Sequence, residues 1–309
     1  MDTLFDIGTI TNFKVLLLSI VIEAMPFVLS SVLVSAIINN FASENMIRKI
    51  IPQNRILSIV PAALVGILFP VCDCGMVPIV RRLVAKGVPL HTAVSFMLAA
   101  PIINPVVTAA TAFAFRLNEN MVYFRLSTAF LVACLTGWLI GLLFQDDELK
   151  QNRSKHHHSC GGCGHTLEEN LADVPFSVKL LRTLHDASNE FFEMGKYLVL
   201  GAMLAALAQL TIPRSLLLTV GQHSFSSIGI MMLFAFCISV CSSADAFIAA
   251  SFGTSFTAGA LIAFMVFGPM IDLKNIFMLG HAFRLRFVIS LTCIVAVLCA
   301  TLTYLINLL

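Results

Sequence analysis

The stretch Phe69 to Pro105, FPVCDCGMVPIVRRLVAKGVPLHTAVSFMLAAPIINP, decides how the rest of the chain is interpreted. It places Cys72 and Cys74 one residue apart and interrupts apolar sequence with several prolines. Non-helical backbone at membrane depth is tolerated only where protein or a water-lined cavity satisfies its free N–H and C=O groups. The stretch therefore predicts irregular chain at a solute pathway, as in the substrate site of a transporter.

The composition is that of a polytopic membrane protein. Hydrophobic residues make up 58% of the 309 residues and charged residues 12%, against roughly 25% charged residues in an average soluble domain. Eight apolar runs lie near or above the roughly 20 residues that cross a bilayer as helix. They are 13–38, 56–80, 88–115, 121–144, 191–211, 226–251, 256–277 and 287–309. We expect a multi-pass protein of the bacterial inner membrane, in contact with lipid and not with nucleic acid, because the basic residues lie in short loops.

Three landmarks recur along the chain at nearly constant offsets of 170, 169 and 168 residues. They are Glu23 and Glu193, Cys72 and Cys241, and the pair Pro101-Ile-Ile-Asn104 and Pro269-Met-Ile-Asp272. A fixed offset of about half the chain predicts an internal duplication. Duplicated halves are common in transporter folds.

The basic residues predict how the two halves are oriented. If all eight runs crossed the membrane, the loops on the two sides would carry nine and eight basic residues. If runs 56–80 and 226–251 are re-entrant hairpins that turn at the cysteines, thirteen basic residues share one face. Four then lie opposite: Lys14, Arg116, Arg125 and Arg214. The positive-inside rule favours the second arrangement and places the termini outside the cytoplasm.

The expected fold is therefore an all-α integral membrane bundle of two inverted repeats. Each repeat has three crossings and one re-entrant, cysteine-bearing hairpin. The expected domains are a first membrane repeat at 1–144, a cytoplasmic linker rich in His and Cys at 145–185, and a second membrane repeat at 186–309.

The linker contains the sequence HHHSCGGCGH, with C-x2-C spacing and flanking imidazoles. This ligand set suits tetrahedral binding of a borderline or soft metal. The candidate ligands are His156, His157, His158, Cys160, Cys163 and His165. We expect a metal-binding loop that is separate from the transport site, and no other cofactor. A compositional bias without metal binding is the alternative.

The candidate substrate site combines thiols with intramembrane polar groups. Thiolates prefer soft partners such as trivalent arsenic, copper(I), zinc or cadmium, and acidic groups inside a membrane are costly and therefore functional candidates. The expected substrate-binding residues are Cys72, Asp73, Cys74, Pro101, Asn104, Cys241, Asp245 and Asp272. The alternative is that small residues are needed only for tight turns against neighbouring helices. Ser243 stands where the second half would repeat Cys74, so a symmetric cage of four thiols is excluded.

Glu23 and Glu193 are the candidate coupling residues, interpreted as buried acids near the start of long apolar runs. Glu193 has an alternative partner in Lys196, three residues further along the same helical face. Glu23 has no such neighbour and is the stronger candidate for proton coupling. His91, which follows Pro89, is interpreted as a solvated residue at the membrane edge.

The blocks FPVCDCGMVP and RRLVAKGVPLHTAVSFMLAAPIINPVV, together with Glu23 and its flanks, resemble the predicted permeases of domain of unknown function 318. These are the YraQ-like permeases, which include ArsP-type organoarsenical exporters. The resemblance covers most of the chain except the His/Cys loop. It implies an inner-membrane exporter and, for the ArsP branch, a trivalent arsenical bound through thiols. Many relatives carry serines around the turn, so the resemblance does not fix the solute.

The leading hypothesis is a non-enzymatic secondary exporter of a soft metal ion, metalloid or organoarsenical-type solute, working by alternating access. The sequence contains no G-x-x-x-x-G-K-[ST] phosphate loop, which argues against ATP hydrolysis by this chain. Two alternatives stay open. One is an intramembrane thiol oxidoreductase, although such enzymes favour C-x-x-C spacing. The other is a non-transporting subunit that works with a second small membrane protein.

Overall fold

The computed structural model describes residues 7–41, 55–68, 72–116, 120–144, 176–211, 224–253 and 255–308. Their regular structure is helical. The first half contains α1 (Ile7–Phe41), α2 (Arg55–Val65) with a 3₁₀ turn (Gly66–Leu68), α3 (Asp73–Ala85), α4 (Leu90–Ala99), α5 (Pro105–Ala114) and α6 (Asn120–Leu143). The second half contains α7 (Phe176–Thr211), α8 (Ser224–Ile238), α9 (Asp245–Ser251), α10 (Ala258–Met270), α11 (Leu273–Ala282) and α12 (Leu285–Leu308).

Five helical stretches among the described residues are long and apolar enough to cross a membrane. They are Ile10–Ile38, Asn120–Leu143, Thr183–Leu210, Ala258–Ala282 and Leu285–Leu308. The stretch Ala258–Ala282 comprises α10 and α11, and the shorter apolar helices α4 and α5 take the same place in the first half. The prediction of a polytopic helical membrane protein is therefore confirmed.

The described helices of the two halves recur in the same order, so that α1 to α6 correspond to α7 to α12. Their packing recurs as well. α2 packs on α4 as α8 packs on α10, and α4 packs on α6 as α10 packs on α12. Across the halves, α3 packs on α11 and α9 packs on α5. Exchanging the halves therefore reproduces much of the architecture, as a duplicated fold requires.

Equivalent helices run antiparallel where they meet. The rings of Phe144, at the end of α6, and Phe287, at the start of α12, have centroids 5.5 Å apart. Ser35, near the end of α1, donates a hydrogen bond to Glu190, in the first half of α7, over 3.0 Å. Because α1 also packs on α7 and α6 on α12, the second half is inverted relative to the first.

The first hairpin enters and leaves at one end of the bundle. Ser58 Oγ in α2 lies 3.3 Å from His91 Nε2 in α4, so the chain that connects them returns to where it started. At the other end of the hairpin, a Cβ on Gly66 would lie 2.7 Å from the Cα of Ala100. Glycine permits this close approach. The tip of the hairpin thus lies beside the break between α4 and α5, as the prediction of a re-entrant segment requires.

The second half repeats this arrangement. The segment from Ser239 to Ala244 separates α8 from α9, and Gly268 in α10 closely approaches Ala235 in α8, where an added Cβ would be 3.3 Å from the Ala235 Cβ. Helices α4 and α10 are buried almost completely and contact each other. The centre of the fold therefore lies between the two equivalent half-helices, next to both hairpins.

The end of the bundle where α3 meets α4 also holds the connection between α11 and α12, since Arg81 and His281 both contact Glu193. We call this end the basic end, because two of the predicted basic loops, 81–87 and 282–286, lie there. Two interpretations of individual residues are wrong. Arg125, counted as a loop residue, is buried in α6 with 1% of its surface exposed. His91, interpreted as a solvated edge residue, is buried between helices with 9% exposed, because it pairs with the hydroxyl of Ser58.

Residues 145–175 of the linker, which include its candidate metal ligands, lie outside the described residues. The predicted boundary between residues 185 and 186 falls within α7, which begins at Phe176 and runs unbroken to Thr211.

Candidate substrate site

The two hairpins meet around one cavity. Cys72, Asp73 and Cys74 line it from the first hairpin, Cys241 lines it from the break in the second, and Lys274 lines it from α11. Helix α1 supplies the remaining wall: Ile20, Glu23, Ala24 and Phe27. The space open to the centre of a water-sized sphere is about 10 Å³, which is room for roughly one water molecule or one ion. The cavity in this state is therefore a small, partly open site and not a channel.

The first hairpin contributes a compact group of potential metal ligands at the start of α3. Cys72 is the N-cap residue in extended conformation, and Asp73 is the first helical residue. One ligand atom from each of Cys72, Asp73 and Cys74 lies within 4.8 Å of the other two. The Cys74 Sγ lies 3.8 Å from the Asp73 Oδ2. Turning the chain into a helix at Cys72 is what brings two thiols separated by one residue to the same place.

The second hairpin contributes one thiol. Cys241 Sγ lies 3.5 Å from Ser243 Oγ, the residue that stands in place of Cys74. The break that carries Cys241 begins at Ser239, whose φ of 52° is a left-handed conformation unusual for a residue other than glycine. The site therefore has a two-plus-one distribution of thiols, as the sequence comparison of the halves predicts.

Lys274 is the main residue of the site that the sequence analysis misses. Its Nζ donates a hydrogen bond to the Ser239 carbonyl over 2.8 Å. It also lies 3.4 Å from Asp272 Oδ2 and 3.8 Å from Asp73 Oδ2. One buried ammonium thus contacts both hairpins and the break between α10 and α11. A lysine inside an apolar run is itself a functional signal, and giving it the same weight as the acids would have identified it.

Asp245 has a different environment from the one predicted. It is buried, and both of its carboxylate oxygens accept hydrogen bonds from Arg125 Nη2, over 2.9 and 2.8 Å. The same guanidinium donates to the Ser242 carbonyl and to the Thr111 hydroxyl. Asp245 is not one of the described residues that line the cavity. The interaction instead clamps the second hairpin to α5 and α6.

Asn104 and Asp272 occupy equivalent positions and have the same structural role. Asn104 Oδ1 accepts a hydrogen bond from Val107 N over 2.8 Å and caps α5. Asp272 Oδ1 accepts one from Asn275 N over 2.7 Å and caps α11. Such caps satisfy backbone N–H groups that have no partner within the helix. Pro101 contributes its carbonyl to the Asn104 side chain. Only Asp272 of these also touches the cavity region, through Lys274.

The two candidate coupling acids are separated. Glu23 lines the cavity and is exposed on α1 rather than buried, because it lies at the cavity edge. Glu193 lies at the basic end with its side chain 40% exposed, 3.6 Å from Arg81 and 2.8 Å from His281. These two partners come from α3 and α11 and take the place of the alternative pairing with Lys196, which is exposed on α7. Of these two acids, only Glu23 lies at the cavity that the thiols line.

Glu190, which sequence reasoning did not single out, adds a second acidic contact near Glu193. It is buried and accepts hydrogen bonds from Ser35 and from Arg82, over 3.0 and 3.4 Å. Its position one turn before Glu193 is the only sequence signal that relates the two. Together, Arg81, Arg82, Glu190, Glu193 and His281 form what we call the latch, which ties α3 to α7 and α11 at the basic end.

An inverted pair of helical repeats that encloses a small polar cavity beside broken helices defines a membrane permease as a class. The chain belongs to the family described as "Predicted permease", whose model, ArsP_1, matches residues 9–308. The predicted family resemblance is thereby confirmed. The chain is 45% identical over 282 residues to "UPF0718 protein YcgR" of Bacillus subtilis (strain 168), covering 91% of this chain and 92% of the relative.

A second relative is named for membership of a complex. The chain is 37% identical over 273 residues to a "Putative two-component membrane permease complex subunit" of Streptococcus mutans serotype c, covering 88% of this chain and 87% of that protein. No solved structure matches the chain. The comparisons thus establish a multi-pass bacterial membrane permease.

Proposed function

We propose that this permease is a secondary exporter of a soft, thiophilic solute, namely a metal ion, a metalloid or an organoarsenical-type compound. The observation that carries the proposal is the convergence of Cys72, Cys74 and Cys241 on one cavity from two inverted hairpins. Thiolate groups select soft metals over hard cations. Two carboxylates line the same cavity, at Asp73 and Glu23, and can take up the protons that the thiols release when they bind the solute.

The test is flux in inside-out membrane vesicles. Serine substitution of Cys72, Cys74 or Cys241 should lower the transport of arsenite, an organoarsenical or cadmium at least about tenfold, a loss of roughly 1.4 kcal/mol in binding. Cys134→Ser is the matched control, since Cys134 is half-buried in α6 and absent from the cavity lining. Wild-type flux in both the Cys72 and the Cys74 variant would contradict the proposed ligand role.

Alternating access is supported by the unequal packing of the two hairpins. The returning helix of the first hairpin, α3, packs against α1, α4, α7 and α11, whereas its counterpart α9 packs chiefly on α5 and α10. The latch residues Arg81 and Arg82 correspond, at an offset of 169, to Ala250 and Ser251. Inverted repeats that exchange such conformations open the site to alternate sides. We propose that this state is closed at the basic end, which we assign to the cytoplasm.

Opening of the latch is measurable as thiol access. In the double variant Arg82→Gln and Glu190→Gln, both charges are removed together, so neither is left buried alone. We expect Cys72 to react faster with a membrane-impermeant maleimide added to inside-out vesicles, as followed by mass spectrometry of the Cys72 peptide. Arg116→Gln, which removes a cation over the Phe113 ring, is the control. Unchanged labelling in the latch variant would argue against a gate at this end.

The name of the Streptococcus mutans relative favours a second hypothesis, that a further membrane protein completes the permease. Native vesicles would then transport the solute, whereas proteoliposomes with the purified chain alone would not. Equal flux per molecule in the two preparations would exclude a required second component.

For the His/Cys linker, we propose metal binding apart from transport. Deleting residues 156–165 should abolish zinc binding by the linker and leave vesicle flux within about twofold of wild type, because a short tract rich in His and Cys binds metal through its own side chains. A loss of flux on deletion would contradict the separation of the two sites.

A further inference from the structure

Among the described residues, the hydrogen-bond and ion-pair contacts of the Lys274 ammonium are with oxygen atoms, in a cavity that thiols also line. They are the Ser239 carbonyl at 2.8 Å, Asp272 Oδ2 at 3.4 Å and Asp73 Oδ2 at 3.8 Å. Lys274, Asp272 and Asp73 are each at most 4% exposed. In the described part of the chain, Asp272 Oδ2 accepts no hydrogen bond with acceptable geometry. A buried carboxylate oxygen is therefore directed at the cation without being fully satisfied by it.

The backbone around this group of oxygens has the form of an ion site. The Ser239 carbonyl follows the last residue of α8, where the helix is broken, and Asp272 caps the half-helix α11. In transporters, unwound backbone carbonyls at the ends of half-helices coordinate small cations. Hard cations take carboxylate and carbonyl oxygens as ligands. The geometry around Lys274 thus resembles an alkali-cation site that already holds a positive charge.

The position is not repeated in the other half. The counterpart of Lys274, at the offset of 168 that relates Asn104 to Asp272, is Val106, which is 56% exposed. The close approach of Gly201, where a Cβ would lie 2.6 Å from the Lys274 Cα, fixes the backbone of α11 against α7. The main chain that carries Lys274 is therefore held in one position by packing.

We propose that Ser239, Asp272 and Asp73 form a binding site for a monovalent alkali cation, and that the Lys274 ammonium fills it as a tethered occupant. The wild-type protein then needs no Na⁺ to assemble its thiol site. Removing the side chain beyond Cβ leaves two carboxylates and a carbonyl facing a vacated space, which Na⁺ enters. Cation binding at this site does not depend on which solute the permease carries. Only the consequence that export runs without Na⁺ rests on the proposed function.

The test is thermal unfolding of the purified full chain in detergent, with NaCl, LiCl, KCl or choline chloride at equal ionic strength. For Lys274→Ala we expect a saturable rise in Tm of roughly 4–5 °C when Na⁺ exceeds its Kd a hundredfold, which corresponds to about 2.7 kcal/mol at somewhat less than 2 °C per kcal/mol. The wild type should shift by less than about 1 °C under the same conditions. Adding Asp272→Asn to Lys274→Ala should abolish the Na⁺ response, because Asn retains the helix cap, as Asn104 does for α5, and removes the charge.

Three results would overturn the proposal. They are an equal response of Lys274→Ala to all four salts, a saturable Na⁺ response in the wild type, and failure of Lys274→Ala to fold in any alkali salt. The assay does not measure flux. A wild type that transports no thiophilic solute would refute the proposed function and leave the cation site unaffected. Normal arsenical flux in the wild type, together with no Na⁺-specific rise in the Tm of Lys274→Ala, would refute the cation site and leave the proposed function unaffected.

Discussion

The buried interaction of Arg125 with Asp245 allows a quantitative test of how the second hairpin is fixed. Arg125 and Asp245 are 1% and 3% exposed at the side chain and lie 2.8 Å apart. At an effective dielectric constant of about 20, their attraction is roughly 6 kcal/mol. Removing both charges from water costs several kcal/mol each. The net contribution of the pair is therefore expected to be small, although each partner alone is strongly needed.

Arg125→Leu leaves a buried carboxylate without its counter-charge and also removes the donors to Ser242 and Thr111. We expect a loss of about 3–5 kcal/mol in the free energy of unfolding. Asp245→Asn should cost a similar amount, because the guanidinium then has no anionic partner. The double variant should lose only about 0–2 kcal/mol, which gives a coupling energy of at least about 4 kcal/mol in the double-mutant cycle.

The measurement is thermal unfolding of the four proteins in one detergent, since about 1 kcal/mol corresponds to a Tm change of roughly 2 °C or somewhat less in a chain of this length. Vesicle flux of each variant is measured alongside. A double variant that loses as much as the sum of the two single variants would refute the reasoning, because the cost would then lie in packing and not in uncompensated charge.

Two further predictions concern local geometry. Gly66→Ala should destabilise the fold by about 1–3 kcal/mol in thermal unfolding, because its Cβ would meet the Ala100 backbone. The control Gly195→Ala, which has open space around it, should be neutral or stabilising. Equal effects of the two substitutions would contradict the close packing of the hairpin tip. Asn104→Ala should cost about 0.5–2 kcal/mol through the lost cap on Val107 N, whereas Asn104→Asp should cost less; a larger loss for Asp would contradict the capping role.

The architecture could be predicted from the sequence because each of its main features leaves a periodic or compositional signal. Apolar runs mark the helices, and the recurrence of Cys72 at Cys241 marks the duplication. The inversion follows from where basic residues accumulate. The antiparallel contact of Phe144 with Phe287 is the structural counterpart of that argument.

The partners of the buried charges could not be predicted, because they join segments far apart in the chain. Asp73 and Lys274 are separated by about two thirds of the sequence, and Arg125 and Asp245 by 120 residues. A single sequence shows that a charge is unsatisfied in its own helix and does not show which other helix provides its counter-ion. Arg125 was misassigned for this reason: its place near the start of α6 is also typical of a loop residue.

Two buried cations whose contacts cross between the halves, Arg125 and Lys274, hold the hairpins in different ways. Arg125, from the first half, donates short hydrogen bonds to the second hairpin, at both carboxylate oxygens of Asp245 and at the Ser242 carbonyl. It also donates to the Thr111 hydroxyl in α5. Lys274, from the second half, reaches the first hairpin only at 3.8 Å, beyond hydrogen-bond distance.

A clamp with four short hydrogen bonds must be broken as a unit, whereas a single long contact can be exchanged at low cost. The first hairpin tip, with its two thiols, is therefore the part of the site free to change its ligands when a solute arrives. It follows that neutralising Arg125 together with Asp245 should preserve flux, whereas Asp73→Asn should alter solute affinity with little change in Tm. If the Arg125 and Asp245 double variant lost flux while Asp73→Asn kept its solute affinity, the moving element would lie in the second hairpin instead.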